Sequence, residues 1–370
     1  MLQPKYPNQF ARIGVTGREA LERVEACFQT IFFDPDEKFF HEVDTDSACM
    51  VDTGNIDART EGMSYGMMMC VQMDRQDLFN RLWQFSKRYM YHESGIYTGY
   101  FAWSVDLEGK HNAEGPAPDG EEYFAMALLL AAARWGGGEG IFDYEAQARD
   151  ILRHCVRQPE LVSGGRAMWD EENHLIRFVP EADYSDPSYH LPHFYEVFAQ
   201  RADPRDRPFW KRAAEASRAY LALSADPVTG MSPEYAEYDG KPRLMFRKPF
   251  AYYSDAYRVA MNIALDTLWF GPNPELSGIV TRLQNFFHGI PELEYMAYQL
   301  DGTPAAEPAM HPVAITAVLG AASIASESPF AEEYLRNFWN TPLRKGKRRY
   351  YDNCLYFFSL MMLAGVYQIY

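Results

Sequence analysis

Three acidic side chains stand at the predicted N-terminal ends of helices that are otherwise apolar. Glu61, Asp119 and Asp255 each come just before a run of apolar residues with helical spacing. Any one of them by itself is explained as a carboxylate that stabilises a helix N-terminus. If the ends of several helices converge on one mouth, the same three side chains form a group of carboxyls suited to general acid and general base catalysis.

Aromatic residues are concentrated in the loops around these carboxyl groups. A tryptophan or tyrosine ring can pack against the apolar face of a sugar, and a pair of carboxyls in such a cleft is what the cleavage of a glycosidic bond requires. The residue types therefore favour a carbohydrate site. The aromatic residues concerned are Tyr97, Tyr100, Phe101, Trp103, Tyr184, Tyr189, Tyr252 and Tyr253.

The charge balance excludes one large class of partners. The chain has 370 residues and a formal net charge of −16, from 35 basic and 51 acidic side chains. A field of that sign repels phosphate backbones, so we expect no nucleic acid partner. His190 and His193 lie three residues apart on a predicted helix, but no further His or Cys cluster supports them as ligands. We therefore expect no metal ion and no cofactor.

The cysteines and the apolar segments bear on localisation. Five cysteines are widely spread with no CxxC pair, which favours buried free thiols in a reducing compartment. The first residues carry no apolar leader pattern, and the apolar run 354–367 is too short to span a bilayer. These features predict a cytoplasmic protein with no membrane association and no obligatory protein partner.

The elements that must position the carboxyl groups are mostly helices. Segment 122–135 is apolar nearly all round, which predicts burial on every side, whereas 145–158 and 208–224 have charged faces suited to solvent. This alternation predicts an all-α fold over 1–370 as one domain, with inner and outer helices and long loops that form a cleft. The other predicted helices, for a total of about eleven, are 15–33, 62–91, 254–270 and 353–370, and more weakly 190–200, 274–287, 312–326 and 330–339.

Three sequence motifs resemble glycoside hydrolase family 8. They are TEGMSYGMM at 60–68, PDGEEYFA at 118–125 and SDAYR at 254–258, in the order typical of that family. The resemblance implies an (α/α)6 barrel and hydrolysis with inversion at the anomeric carbon. Two further stretches, DPSYHLP at 186–192 and Met310-His311-Pro312, are similar to the reducing-end xylose-releasing exo-oligoxylanases of the family. Met310 stands where leucine is usual.

The resemblance implies the catalytic roles. Glu61 matches the general acid, Asp255 the general base, and Tyr189 a residue that holds the attacking water. Asp119 matches a residue that binds the distorted sugar beside the scissile bond. Arg258, three residues after Asp255, is expected to favour the ionised base.

It also implies three contacts with the substrate. Trp103 matches a stacking platform in an inner subsite, and His311 matches a residue that binds the reducing xylose at a closed end of the cleft. Arg59 either steadies the acid or binds a sugar hydroxyl, and a solvated arginine is nearly as good an interpretation. The implied partner is therefore a xylo-oligosaccharide.

Two alternative functions stay open at this point. The first is an endo-acting family 8 hydrolase, whether an endo-xylanase, a chitosanase or a β-glucanase. The second is a catalytically silent oligosaccharide-binding protein on the same scaffold. The presence of both Glu61 and Asp255 argues against the second.

Overall fold

The computed structural model describes residues 2–245 and 251–370. The chain folds into two compact units. The first unit comprises Met1–Thr30, Asp183–His193 and Ala216–Gln368, and the second comprises Ile31–Ala182, Phe194–Glu215 and Ile369–Tyr370.

Helices dominate the described residues, as the sequence predicts. None of these helices is long and apolar enough to cross a membrane. Their bounds are α1 (Gly17–Phe33), α2 (Thr60–Gln72), α3 (Gln76–Tyr89), α4 (Pro118–Trp135), α5 (Tyr144–Leu161), α6 (Pro192–Arg201), α7 (Arg207–Ser224), α8 (Arg258–Phe270), α9 (Pro274–Phe287), α10 (Pro312–Ala322), α11 (Ala331–Asn340) and α12 (Arg349–Leu363).

The helix predicted over 62–91 is wrong as a single element, because the chain breaks between α2 and α3. Asp74 has a φ of +60° at the break, and Arg75 N–H donates to the carbonyl of Cys70. The Asp74 carboxylate accepts hydrogen bonds from Trp135 Nε1 at 2.8 Å and Arg134 Nε at 3.0 Å. Two donors at the end of α4 therefore hold a left-handed residue that follows the end of α2.

The helix predicted over 353–370 begins and ends earlier, as α12. Gly365 follows it with a φ of +77°, and its carbonyl accepts hydrogen bonds from the N–H groups of Lys5 and Tyr6. A Cβ atom at Gly365 would lie 2.1 Å from the Tyr6 carbonyl oxygen. Only glycine permits both this conformation and this approach of the N-terminal segment.

Among the described residues, two small antiparallel sheets that the sequence did not predict complete the fold. In the second unit the strand order follows the chain from β1 to β5, and β3 leads directly into α2. The first unit holds the pair β6 and β7. The strands are β1 (Phe40–Glu42), β2 (Ala48–Asp52), β3 (Asp57–Arg59), β4 (Ser104–Val105), β5 (His111–Ala113), β6 (Met296–Tyr298) and β7 (Pro304–Pro308).

Each unit has a core of apolar helices. In the second unit α2 packs against α4, and every residue of α4 from Pro118 to Ala131 is buried, as the all-round apolar pattern predicts. In the first unit α10 packs against α8 and α12, and α12 is buried from Tyr350 to Leu363. The buried helices begin near the predicted site residues and hold them on a rigid base.

Candidate active site

In the second unit, the starts of α2 and α4 lie side by side. A Cβ atom on Gly120 would lie 2.4 Å from both Cβ and Oγ1 of Thr60, so glycine is required for this approach. Glu61 follows Thr60 in the chain, and Asp119 precedes Gly120. The packing therefore places two of the three predicted acidic residues on adjoining helix starts, with Asp119 buried and Glu61 partly exposed.

Thr60 does not cap α2, although threonine is one of the preferred N-cap residues. It is the first helical residue, and the N-cap position belongs to Arg59 in extended conformation without a side-chain cap bond. The Thr60 N–H donates instead to the carbonyl of Trp103 at 3.0 Å. The sheet register pairs Arg59 with Ser104, so β3 and β4 align the start of α2 with the loop that carries Trp103.

Arg59 forms two ion pairs and is not a freely solvated side chain. Its Nη2 lies 3.3 Å from Asp52 Oδ2, and its Nε lies 3.0 Å from Asp57 Oδ1. The guanidinium sits 5.3 Å from the ring centroid of Trp103, in the range of a cation–π contact. The Ser104 hydroxyl donates to Asp57 at 2.9 Å. Asp52 and Asp57 were not predicted as site residues, although both belong to the sequence that precedes the acidic motif.

In the first unit, Asp255 stands on a 3₁₀ turn, Ser254–Tyr257, and α8 begins only at Arg258. The expected position at the start of the α-helix is therefore wrong by one turn. Ser254 has a φ of +34°, and the hydroxyl of Tyr351 on α12 donates to its carbonyl at 3.0 Å. This bond anchors the strained turn that presents Asp255.

Arg258 joins the predicted base to the predicted water-holding tyrosine. Its Nη2 lies 3.4 Å from Asp255 Oδ1, and its guanidinium is 5.4 Å from the ring centroid of Tyr189. Arg258 and Tyr189 are buried, whereas a quarter of the Asp255 side chain is exposed. The structure thus brings together the three residues that the motifs at 186–192 and 254–258 suggested.

Asp186 completes this cluster, and no role was predicted for it. Its Oδ1 accepts a hydrogen bond from Ser188 N–H at 2.7 Å and so caps the 3₁₀ turn Pro187–Tyr189. Burial raises the pKa of Asp186 well above its ordinary value, the charge of Asp255 raises it further, and Arg258 opposes both. The aspartate belongs to the quoted motif, but its burial is a tertiary property that the motif does not reveal.

His311 lies buried in the first unit, immediately before α10. Its Nδ1 is 2.7 Å from Asp352 Oδ2, and Arg344 Nη1 is 2.6 Å from the same oxygen. The other oxygen, Asp352 Oδ1, accepts from Ala314 N–H at 2.9 Å and so caps α10 from α12. The sequence did not predict Asp352 and Arg344 as site residues, because 41 residues separate Asp352 from His311.

The two histidines that were discounted as metal ligands occupy the core. His190 is bonded through its two ring nitrogens to the hydroxyls of Ser185 and Ser217, and burial lowers its pKa to about 3. His193 is also fully buried. Within the described residues, a different group, His92, His111 and Glu114, offers ligand atoms that lie within 4.8 Å of one another. It consists of partly and fully exposed side chains.

The chain is a glycoside hydrolase and belongs to glycosyl hydrolases family 8, whose family model matches residues 35–365. Family 8 is an inverting family. The chain is 51% identical over 368 residues to the reducing-end xylose-releasing exo-oligoxylanase Rex8A of Paenibacillus barcinonensis, covering 99% of this chain and 97% of Rex8A. It is 50% identical to the reducing end xylose-releasing exo-oligoxylanase of Bifidobacterium adolescentis, with 98% and 96% covered.

A solved structure confirms the predicted fold class. The structure of Rex8A complexed with xylose matches with a TM-score of 0.96 at 51% identity, covering 99% of this chain and 97% of that one. The protein is therefore an all-α enzyme of the (α/α)6 barrel class. The family resemblance drawn from the motifs is confirmed by the same comparisons.

Proposed function

We propose that this glycoside hydrolase releases xylose from the reducing end of β-1,4-xylo-oligosaccharides. The observation that carries the proposal is the similarity to Rex8A over almost the whole of both chains. The residues proposed for the site include the groups that an inverting hydrolysis needs. An acid, a base, an aromatic platform and an oriented histidine are all among them.

The proposed reaction uses Glu61 as the general acid and Asp255 as the general base. Glu61 donates its proton to the leaving glycosidic oxygen while water attacks the anomeric carbon from the opposite face. Asp255 takes the proton that the water loses, and the C–O bond to the reducing xylose breaks. A β linkage then yields the α anomer at the newly formed reducing end, and free xylose leaves as the other product.

The neighbouring residues serve this step by position. Arg258 pairs with Asp255 and covers the ring of Tyr189, which supports a role for Tyr189 in holding the water close to the base. Asp119 is proposed to bind the distorted sugar. Trp103, backed by Arg59, is proposed to stack on a sugar face.

His311 is proposed to bind the hydroxyls of the reducing xylose. A carboxylate can only accept a hydrogen bond, so the contact with Asp352 places the imidazole proton on Nδ1 and leaves Nε2 for a ligand. A closed end of the cleft beside His311 would exclude longer products by steric conflict, and this is the proposed basis of exo action.

Domain organisation and location in the cell belong to the same proposal. We also propose that residues 1–370 act as a single catalytic domain, because one family model matches nearly the whole chain. We propose a cytoplasmic location and activity without a protein partner. Five buried free thiols support a reducing compartment. Cell fractionation and size-exclusion chromatography of the active enzyme test these two points.

The deciding experiment follows the products of end-labelled xylotriose by chromatography, with NMR of the first-formed anomer. Release of one labelled xylose per event and an initial α anomer are expected. Mixed oligomers from polymeric xylan, chitosan or β-glucan would support an endo-acting enzyme instead. Binding without cleavage of any β-1,4 oligosaccharide would support a silent binding protein, and retained configuration would contradict the assigned mechanism.

A further inference from the structure

Asp186 is a buried acid with an oxygen that has no hydrogen-bond partner among the described residues. Its side chain is fully buried. Oδ1 accepts from the Ser188 N–H, whereas Oδ2 is buried without a partner. A buried carboxylate with an unsatisfied oxygen is far more costly than a neutral carboxyl in the same place. The local structure therefore favours the neutral form.

The turn that Asp186 caps packs directly on the turn that carries Asp255. The two 3₁₀ turns, Pro187–Tyr189 and Ser254–Tyr257, are in contact, and Asn262 on α8 donates to the Ser188 carbonyl at 2.8 Å. Arg258 reaches from α8 to Asp255 and to the ring of Tyr189. Two acids thus share one cluster with one guanidinium.

One guanidinium cannot neutralise two carboxylates, so we expect only one of the two acids to be ionised. Asp255 is partly exposed and pairs with Arg258, whereas Asp186 is excluded from solvent. The pKa of Asp186 is raised first by burial and then by the charge of Asp255, with Arg258 and Ser188 acting in the opposite direction. Asp186 also interacts with three phenols, Tyr184, Tyr220 and Tyr235, and raises the pKa of each.

We propose that Asp186 is a positioning residue that keeps its proton while Asp255 is ionised, so that the negative charge beside Arg258 resides on the base. This inference rests on the proposed function only through the role of Asp255. As a neutral group, Asp186 holds the Tyr189 turn through the Ser188 N–H without adding a second negative charge. An ionised Asp186 would compete with Asp255 for Arg258 and make Asp255 harder to ionise.

The pH profile of kcat/KM in Asp186→Asn tests the charge state. The amide has the shape of the neutral acid, and its oxygen can still accept from Ser188. If Asp186 is already neutral, the midpoint of the acidic limb, which reports the base in the free enzyme, stays where it is in the wild type. A downward move of about one pH unit would overturn the proposal, because it would show that a negative charge had been removed. Wild type and Asp186→Asn are compared by this midpoint and not by their rates.

Infrared spectroscopy of protein labelled with ¹³C at the aspartate carboxyl provides a readout that needs no activity. A carbonyl band of un-ionised aspartic acid is expected at neutral pH in the wild type, and its loss is expected in Asp186→Asn. The matched control is Asp206→Asn, which alters another buried aspartate, one that pairs with Arg157. Absence of the band in the wild type would overturn the proposal even if Asp186→Asn fails to fold, and so would a band that persists unchanged in a folded Asp186→Asn.

The two readouts also separate this inference from the proposed function. If the wild type cleaves no oligosaccharide, the proposed function fails while the infrared band still reports the proton on Asp186. If the wild type releases xylose and the band is missing, only the inference fails.

Discussion

Asp352 holds the imidazole of His311 through a 2.7 Å contact between Oδ2 and Nδ1. The same carboxylate caps α10 at Ala314 and binds Arg344, whose Nη1 also donates to the carbonyl of Met310 at 2.6 Å. The adjacent residue on α12, Tyr351, holds the carbonyl of Ser254. Two consecutive residues of one buried helix therefore position the histidine and the turn of the proposed base.

The first prediction concerns this pair. Replacing Asp352 by alanine is expected to lower kcat/KM for xylotriose about 10- to 150-fold, because a hydrogen bond to a charged group contributes about 1.5–3 kcal/mol. Asp352→Asn keeps an acceptor oxygen and is expected to recover part of the loss.

A double-mutant cycle shows whether Asp352 acts through His311. The variants His311→Ala, Asp352→Ala and the double variant are compared in kcat/KM, and in the free energy of unfolding as a control for damage to α10. Coupling predicts that the second substitution costs little once the first is present. Fully additive losses in kcat/KM would contradict a positioning role.

The second prediction concerns the proposed acid. Glu61→Gln is expected to lower kcat by about 10²- to 10⁴-fold, since it removes the proton donor while keeping the shape of the side chain. Calorimetry with xylotriose is expected to show that binding persists. Glu160→Gln, a change at an exposed surface pair with Arg205, is the matched control and should leave kcat unchanged. A Glu61→Gln enzyme with normal kcat would remove Glu61 from the mechanism.

The third prediction concerns stacking at Trp103. Trp103→Ala is expected to raise KM for xylo-oligosaccharides about tenfold, because an aromatic contact contributes about 0.5–1.5 kcal/mol beyond the area it buries. Trp103→Phe keeps a ring and should recover most of the affinity. An unchanged KM in Trp103→Ala would show that this ring does not contact the substrate.

The fourth prediction concerns stability and pH at Glu121, a fully buried residue of α4. Burial is the main cause that raises its pKa well above 4.5, although its Oε1 accepts from Phe101 N–H. A raised pKa in the folded state means that the stabilisation is present at acid pH and is lost as the pH rises above the value at which an unfolded glutamate ionises.

The measurement is urea unfolding of the wild type and Glu121→Gln between pH 5 and pH 8, with about 1.4 kcal/mol per pH unit as the largest slope that one group can cause. The free energy of unfolding of the wild type is expected to fall more steeply with pH than that of Glu121→Gln. Parallel curves would show that Glu121 has the same charge in both states.

The helices and the family motifs could be predicted because their signals are local. The all-round apolar sequence of α4 requires burial. The residues around Glu61 and those around Asp255 each form a short motif that can be recognised from the sequence. The break at Asp74 could not be predicted in this way. The donors that stabilise its left-handed conformation come from Arg134 and Trp135, 60 and 61 residues away.

The sequence by itself determined the fold class, the family and the two candidate acids, because helical periodicity and motif order are properties of neighbouring residues. Only the tertiary structure decided that Arg59 is held between Asp52 and Asp57, that Asp352 orients His311, and that Asp186 is buried beside the turn of Asp255. The physical reason is that burial and charge pairing depend on which distant segments meet. Desolvation and Coulomb interactions act through space, and the spacing of residues along the chain does not report them.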